Sequence, residues 1–172
     1  MTNTFNVSVI GAGIISHTYL DNIRRSPDLK LRYICSKSGV TAQKQAAIWG
    51  GKPASLAEIL ADTATDIVVN LAPPSTHYEI GAAILRAGKH LYSEKPFATS
   101  LEAAKELVAM AAAKDLKIGC APDTFLGPAH QAARRALDSG VIGRIVGGAV
   151  AVQNRGVESW HPNPAAFYQP GG

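Results

Sequence analysis

The chain has 172 residues, the size of one ordinary domain with a small appendage. Apolar residues make up 47% and charged residues 17%, which excludes intrinsic disorder because enough apolar surface can be buried to offset the ordering entropy. The formal net charge of +4 is dispersed, with no tighter basic cluster than the pairs Arg24-Arg25 and Arg134-Arg135, and this excludes the basic stripe of a nucleic-acid binder.

Phe5–Ile10 (FNVSVI) reads as a first strand and Ile14–Arg25 as a first helix. Leu31–Ser36 (LRYICS) is the second strand, followed by a helix over about Thr41–Trp49. A short helix over Ser55–Ala61 opens with Ser55 and Glu58 at capping-box spacing. Asp66–Ala72 (DIVVNLA) is a strand and Thr76–Ala87 a helix, with Thr76 and Glu79 spaced for another box. Lys89–Ser93 (KHLYS) is the fifth strand. The helix Ser100–Ala113 is expected to start from Thr99 and Glu102 and to bury Leu101, Ala104, Leu107, Val108 and Ala111. Lys117–Ala121 (KIGCA) is the sixth strand, and Pro128–Asp138 a closing helix.

Strands and helices alternating over short connections predict parallel strands joined by right-handed crossovers, an α/β fold with a doubly wound sheet. The strands are nearly continuous apolar runs, as expected when helices cover both faces. Numbered first, second, fourth, fifth and sixth, these five strands suit the order 3-2-1-4-5-6 of a Rossmann NAD(P)-binding domain, expected over residues 1–140. After Gly140 the texture changes. Arg144–Gln153 (RIVGGAVAVQ) looks like one more strand, and residues 154–172 are rich in Pro, Gly and aromatics. Residues 141–172 are therefore expected to begin a second α+β domain that the 172 residues leave incomplete.

No apolar run reaches the roughly 18 residues that cross a bilayer, and the start lacks the basic region and apolar core of a signal peptide. A cytoplasmic protein is expected. Cys35 and Cys120 lie in strand-like runs and read as buried thiols.

Gly11-Ala12-Gly13-Ile14-Ile15-Ser16 follows the first strand and opens the first helix. This pattern uses Gly11 for the tight turn, Gly13 for close approach of backbone to a pyrophosphate, and a small third residue for helix–strand packing. The helix start at Ile14 and Ile15 would offer its N–H groups and positive dipole end to the phosphates. NAD-binding proteins place an acid about 20 residues on, at the ribose 2′-hydroxyl. Here that place holds Ser36, then Lys37. A carboxylate would repel a 2′-phosphate, whereas Ser and Lys can bond it, so NADP is slightly preferred over NAD. Lys37 as a plain solvated turn residue is the alternative.

Glu94-Lys95-Pro96 follows the fifth strand at its carboxyl end, the edge where open α/β sheets bind ligands. A lysine there could orient or exchange a proton with a substrate hydroxyl while a nicotinamide takes the hydride. Alone, the tripeptide would equally be a strand-end turn, with Pro96 in cis as one form of it.

Taken together, GAGIIS, NLAPPSTH at Asn70–His77, AGKHLYSEKPFA at Ala87–Ala98 and SGVIGRI at Ser139–Ile145 resemble the Gfo/Idh/MocA oxidoreductase family. These are the glucose–fructose oxidoreductase and inositol dehydrogenase-like enzymes. The resemblance implies that Lys95 is the catalytic lysine and that Glu94 and Pro96 shape the nicotinamide pocket. It implies that Leu71, Pro73 and His77 lie in a loop beside the cofactor's ribose and pyrophosphate; His77 also reads as a helix-start residue with no ligand role. Asp123 and Thr124 could touch substrate or form a turn, and His161 could reach a sugar site or sit in a surface loop. Trp160, Phe167 and Tyr168 could line a cleft or start a core. His17, His90 and His130 show no ligand spacing, and no metal is expected.

Family members also carry a second domain with an acidic catalytic motif that these residues do not supply, and its sheet builds the homo-oligomer. The resemblance implies an NAD(P)-dependent oxidoreductase acting on a secondary alcohol of a sugar, inositol or related polyol, with a small-molecule partner, no nucleic acid and no membrane. The alternatives are an NAD-dependent glycosidase of the same family and a non-catalytic nucleotide-binding sensor.

Overall fold

The computed structural model describes residues 4–122, 124–161 and 163–168. In chain order the elements are β1 Phe5–Ile10, α1 Ser16–Arg25, β2 Leu29–Cys35, α2 Val40–Trp49, β3 Lys52–Pro53 and α3 Leu56–Ala61. There follow β4 Ile67–Asn70, α4 His77–Arg86, β5 His90–Ser93, α5 Leu101–Ala113, β6 Ile118–Cys120 and α6 Pro128–Asp138. All six strands pair in parallel in the order β3-β2-β1-β4-β5-β6. This is the doubly wound Rossmann sheet expected from the alternation of elements.

Each face of the sheet has its own core. Val7, Val9 and Val69 point to one face and pack with Leu20 and Ile23 of α1 and Ala42 of α2. Ile10, Val68 and Leu91 point to the other, against Ile59 of α3, Ile84 of α4 and Leu107 of α5. Burying a side chain such as Leu107 completely is worth about 1.5–3 kcal/mol. The central strands are buried on both sides, which is why they are apolar at consecutive positions.

β3 was invisible in the hydropathy. It is two residues long, held by pairing of Lys52 and Pro53 with Tyr33 and Ile34, and it follows from the turn at Gly50 and Gly51, both with positive φ. The Ser55–Glu58 capping box forms as expected. The Thr76–Glu79 box does not. A 3-10 turn over Pro74–Thr76 precedes α4, and the Thr76 hydroxyl donates instead to the Pro73 carbonyl at 2.8 Å. On α5 the cap is Ser100, not Thr99, with its Oγ accepting from the Ala103 N–H at 3.1 Å. Leu107 and Ala111 are buried there, but Leu101 and Val108 are exposed, because only one stripe of α5 faces the sheet. Cys35 is half-buried and Cys120 exposed, since β6 has a strand neighbour on one side alone.

The chain divides into two compact units after Ala121. The second unit contains α6, so the expected boundary near residue 140 falls inside it. No residue of α6 is buried. The expected strand Arg144–Gln153 pairs with nothing among the described residues, and Val146, Val150 and Val152 are strongly exposed. A strand needs a partner's N–H and C=O groups, and these residues have none.

One polar clasp ties the edge of the nucleotide unit together. The register of β1 and β2 shifts at Arg32, whose Nε and Nη2 donate to Asp62 Oδ2 and Oδ1 at 2.7 and 3.1 Å. Asp62 also accepts from the Thr65 hydroxyl and the Ala64 N–H. The hydrogen bonds from Arg32, foremost, hold the Asp62 carboxyl below the usual carboxylate range. A carboxylate whose folded value is depressed stabilises the fold above its unfolded value of about 3.9 and loses that contribution as pH falls through the folded value. Asp62→Asn should therefore be less stable than wild type at neutral pH, with the gap closing as pH is lowered from about 5 to below 3 in urea unfolding. A gap that stays constant with pH would contradict this role.

Candidate functional site

The residues singled out at the ends of β1, β2, β4 and β5 come together because four parallel strands end at one edge. Backbone hydrogen bonds carry the ladder past the strands into the loops. Gly11 N–H donates to the Cys35 carbonyl at 3.0 Å, Leu71 N–H to Ile10 at 2.7 Å, and Glu94 N–H to Asn70 at 2.9 Å. The strand order reverses between β1 and β4, and that is where the crevice of such a sheet opens.

Gly11 has φ +99°, and a Cβ placed on it would lie 2.4 Å from the Leu71 carbonyl oxygen. Only glycine fits this turn. Gly13 is different: a Cβ there would meet nothing within 4 Å, so its backbone faces open space. Ser16 is fully buried, and its hydroxyl donates to the Gly13 carbonyl at 2.6 Å. The third small residue thus braces the turn from inside. No side chain caps α1, and its first turn carries no acid. Among the described residues no acceptor bonds the N–H groups of Gly13, Ile14 and Ile15, while the Ile14 and Ile15 side chains are exposed. An uncapped helix start behind a turn with room for close approach fits a pyrophosphate.

At the end of β2, Ser36 Oγ accepts the Ala42 N–H at 2.9 Å, satisfying a donor of the first turn of α2. Its hydroxyl hydrogen remains to be donated. Lys37 is exposed beside it. Burial, and after it the charge of the Glu58 carboxylate reaching this strand end, pushes the Cys35 thiol up.

Glu94 and Lys95 leave β5. Glu94 is held on both oxygens: Oε1 accepts from the Tyr19 hydroxyl at 2.9 Å, and Oε2 from the Lys95 N–H at 2.8 Å. Tyr19 lies on α1, so this carboxylate ties α1 to the Lys95 loop. Lys95 is exposed, and its peptide bond to Pro96 is cis.

On the β4 side, Leu71 is buried and Pro73 exposed. His77 opens α4 and is 1% exposed. Its Nδ1 lies 2.6 Å from the Pro96 carbonyl oxygen and its Nε2 2.7 Å from that of Ala72. The ring faces the protein interior, not the crevice. Asn70, fully buried, accepts the Ala72 N–H and donates to the His77 carbonyl, each at 3.3 Å. Neither Asn70 nor Tyr19 was singled out in the sequence. The polar Asn70 closing the apolar run IVVN was the available signal for the first, and Tyr19 had none.

Thr124 and His161 belong to the second unit, and Asp123 lies outside the described residues. Trp160, His161 and Phe167 pack edge to face on one another, with centroids 4.7 to 6.1 Å apart, and the Tyr168 hydroxyl donates to Glu158. Among the described residues no three His, Cys, Asp or Glu side chains gather as a metal site, and no helix is long and apolar enough to cross a membrane.

Residues 5–121 match the family model described as an oxidoreductase family with an NAD-binding Rossmann fold, Gfo/Idh/MocA. Inositol 2-dehydrogenase of Rhizobium meliloti is 25% identical over 142 residues, which cover 83% of this chain and 43% of that protein. KijD10, a 3-ketoreductase from Actinomadura kijaniata solved with NADP, is 32% identical with a TM-score of 0.76 over 83% of this chain and 46% of its own. The WlbA dehydrogenase from Bordetella pertussis, solved with NADH and UDP-GlcNAcA, is 26% identical with a TM-score of 0.77, covering 83% and 42%. The chain spans from about a quarter to just under half the length of the curated relatives it matches.

The two glycines of the turn should fail in different ways. Gly11→Ala adds backbone strain of about 1–3 kcal/mol to a collision with the Leu71 carbonyl, and should lower the melting temperature clearly. Gly13→Ala should melt like wild type and lose dinucleotide affinity, because its Cβ occupies the open side. Thermal melts paired with nucleotide titrations separate the two; equal melting losses would refute the distinction.

Proposed function

This chain belongs to the Gfo/Idh/MocA oxidoreductase family, and from that premise we propose that it is the NAD(P)-binding part of an enzyme that moves a hydride between nicotinamide and a secondary alcohol of a sugar, inositol or related polyol. The observation that carries this reading is the uncapped start of α1 over the Gly11 turn, set at the strand-order reversal with Lys95 on the same edge. The N–H groups of Gly13, Ile14 and Ile15 hold the pyrophosphate, and Gly11 keeps the turn tight enough for the Leu71 backbone to lie beside it. Ser36 and Lys37 take the adenosine ribose. Leu71, Pro73, Glu94 and Lys95 border the nicotinamide half. Bound nicotinamide supplies the hydride acceptor or donor. Lys95 orients the substrate hydroxyl and exchanges its proton, while Glu94, held by Tyr19, fixes the backbone on which Lys95 stands. The sugar or polyol class is supported by the inositol dehydrogenase and by the sugar-nucleotide complex of WlbA.

A Ser–Lys pair in the sequence position where NAD-binding proteins carry an acid favours NADP. Fluorescence titration should give tighter binding of NADPH than of NADH, and Lys37→Glu should reverse the order; equal affinities in wild type would remove the preference. In the enzyme assayed with a panel of polyols and keto sugars, Lys95→Ala should lower kcat by about 10²- to 10⁴-fold with cofactor affinity retained. Turnover unchanged by Lys95→Ala would reject its role.

A further inference from the structure

His77 sits where two functional loops meet, with its side chain closed off from the crevice. The loop leaving β4 passes through Ala72, and the loop leaving β5 passes through Lys95 and Pro96. One imidazole bridges them, with a ring nitrogen at 2.7 Å from the first loop's carbonyl and at 2.6 Å from the second's. Asn70 fastens the same pair of residues from the strand below, through the Ala72 N–H and the His77 carbonyl. The loops differ by 24 positions in sequence between Ala72 and Pro96, and among the described residues the hydrogen bonds that join them pass through this ring or through the β4–β5 ladder below it.

A dinucleotide laid across this edge has a fixed division. Its pyrophosphate lies at α1 between β1 and β4, and its adenosine half lies over β2 at Ser36 and Lys37. The remaining nucleoside has only the β4 and β5 loops to rest on. We propose that His77 is a positioning residue: without touching the dinucleotide, it sets the separation of these two loops, and so governs binding of the nicotinamide half and the placement of Lys95. This inference rests on the nucleotide reading above.

The test uses the 172-residue chain, titrated with NADPH and with 2′,5′-ADP, which carries the adenosine half alone. His77→Ala should weaken NADPH by about tenfold, the scale of one lost hydrogen bond, and leave 2′,5′-ADP unchanged. His77→Gln, whose amide can donate to the carbonyls, should recover part of the loss. Equal weakening of both ligands, or of neither, overturns the proposal. Should the variants fail to fold, the ring C–H signals of His77 in the wild-type NMR spectrum decide. Movement with NADPH and not with 2′,5′-ADP supports the proposal, and any other pattern overturns it. A wild-type chain that binds neither NADPH nor NADH overturns the nucleotide reading itself, and this inference falls with it.

Discussion

The backbone of Gly11 and the backbone of Leu71 approach so closely that a single methyl group between them would lie 2.4 Å from the Leu71 carbonyl oxygen. This contact closes the ends of β1 and β4 on each other, with the Leu71 N–H already bonded to Ile10. From it the chain leaves in two directions: β1 leads through α1 to β2 on one side, while β4 leads through α4 to β5 on the other. Two crossovers diverging from adjacent strands leave a crevice between their helix starts. Its floor is as narrow as the Gly11 turn permits, so phosphates can reach backbone N–H groups there without a side chain intervening. Widen that contact and α1 no longer starts beside the β4 loop.

Around this floor, the polar side chains divide by what they bond. Ser16 is spent on the Gly13 carbonyl, and Glu94 on Tyr19 and the Lys95 N–H, while the His77 ring sits between two loop carbonyls. Each joins segments that the chain alone would let drift: turn to helix, α1 to the β5 loop, the β4 loop to the β5 loop. A buried polar group costs free energy unless bonded, and once bonded it fixes geometry that apolar packing leaves loose. Lys37 and Lys95 are exposed at strand ends of the same edge. Backbone and bonded side chains thus shape the crevice.

Much of this was legible before any coordinates. The five apolar runs fell on strands because burial on both faces demands consecutive apolar residues, and GAGIIS named its own turn. What escaped had local causes. Lys52–Pro53 is too short to carry a hydropathy signal, and its pairing depends on Gly50 and Gly51 bringing it beside β2. The extra capping boxes matched in spacing, but Pro73 and Pro74 wound the start of α4 into a 3-10 turn that claimed the Thr76 hydroxyl. The apolar run Arg144–Gln153 has a strand's composition and pairs with nothing among the described residues. For the site, the residues that the sequence singles out at Gly11, Ser36, Leu71 and Lys95 lie at strand ends that the fold brings to one edge. The sequence could not say that the His77 ring turns inward, since that depends on the Pro96 carbonyl arriving from 19 residues away.

On the proposed reading, the end of β2 lets two neighbouring groups read the same 2′-phosphate by different physics. Ser36 is anchored by the Ala42 N–H, so the direction in which its hydroxyl can donate is limited by the helix it caps. Such a bond depends on geometry and is little altered by dissolved ions. Lys37 is exposed on the following turn, and its attraction to a 2′-phosphate acts through water, screened over about 8–10 Å at ordinary ionic strength. On that reading, Lys37 would raise the encounter rate and general affinity for anions, and Ser36 would fix where a 2′-phosphate sits. The choice between the two cofactors, on the same proposed reading, falls to these side chains together, with Glu58 the carboxylate whose charge reaches Cys35 at the end of β2.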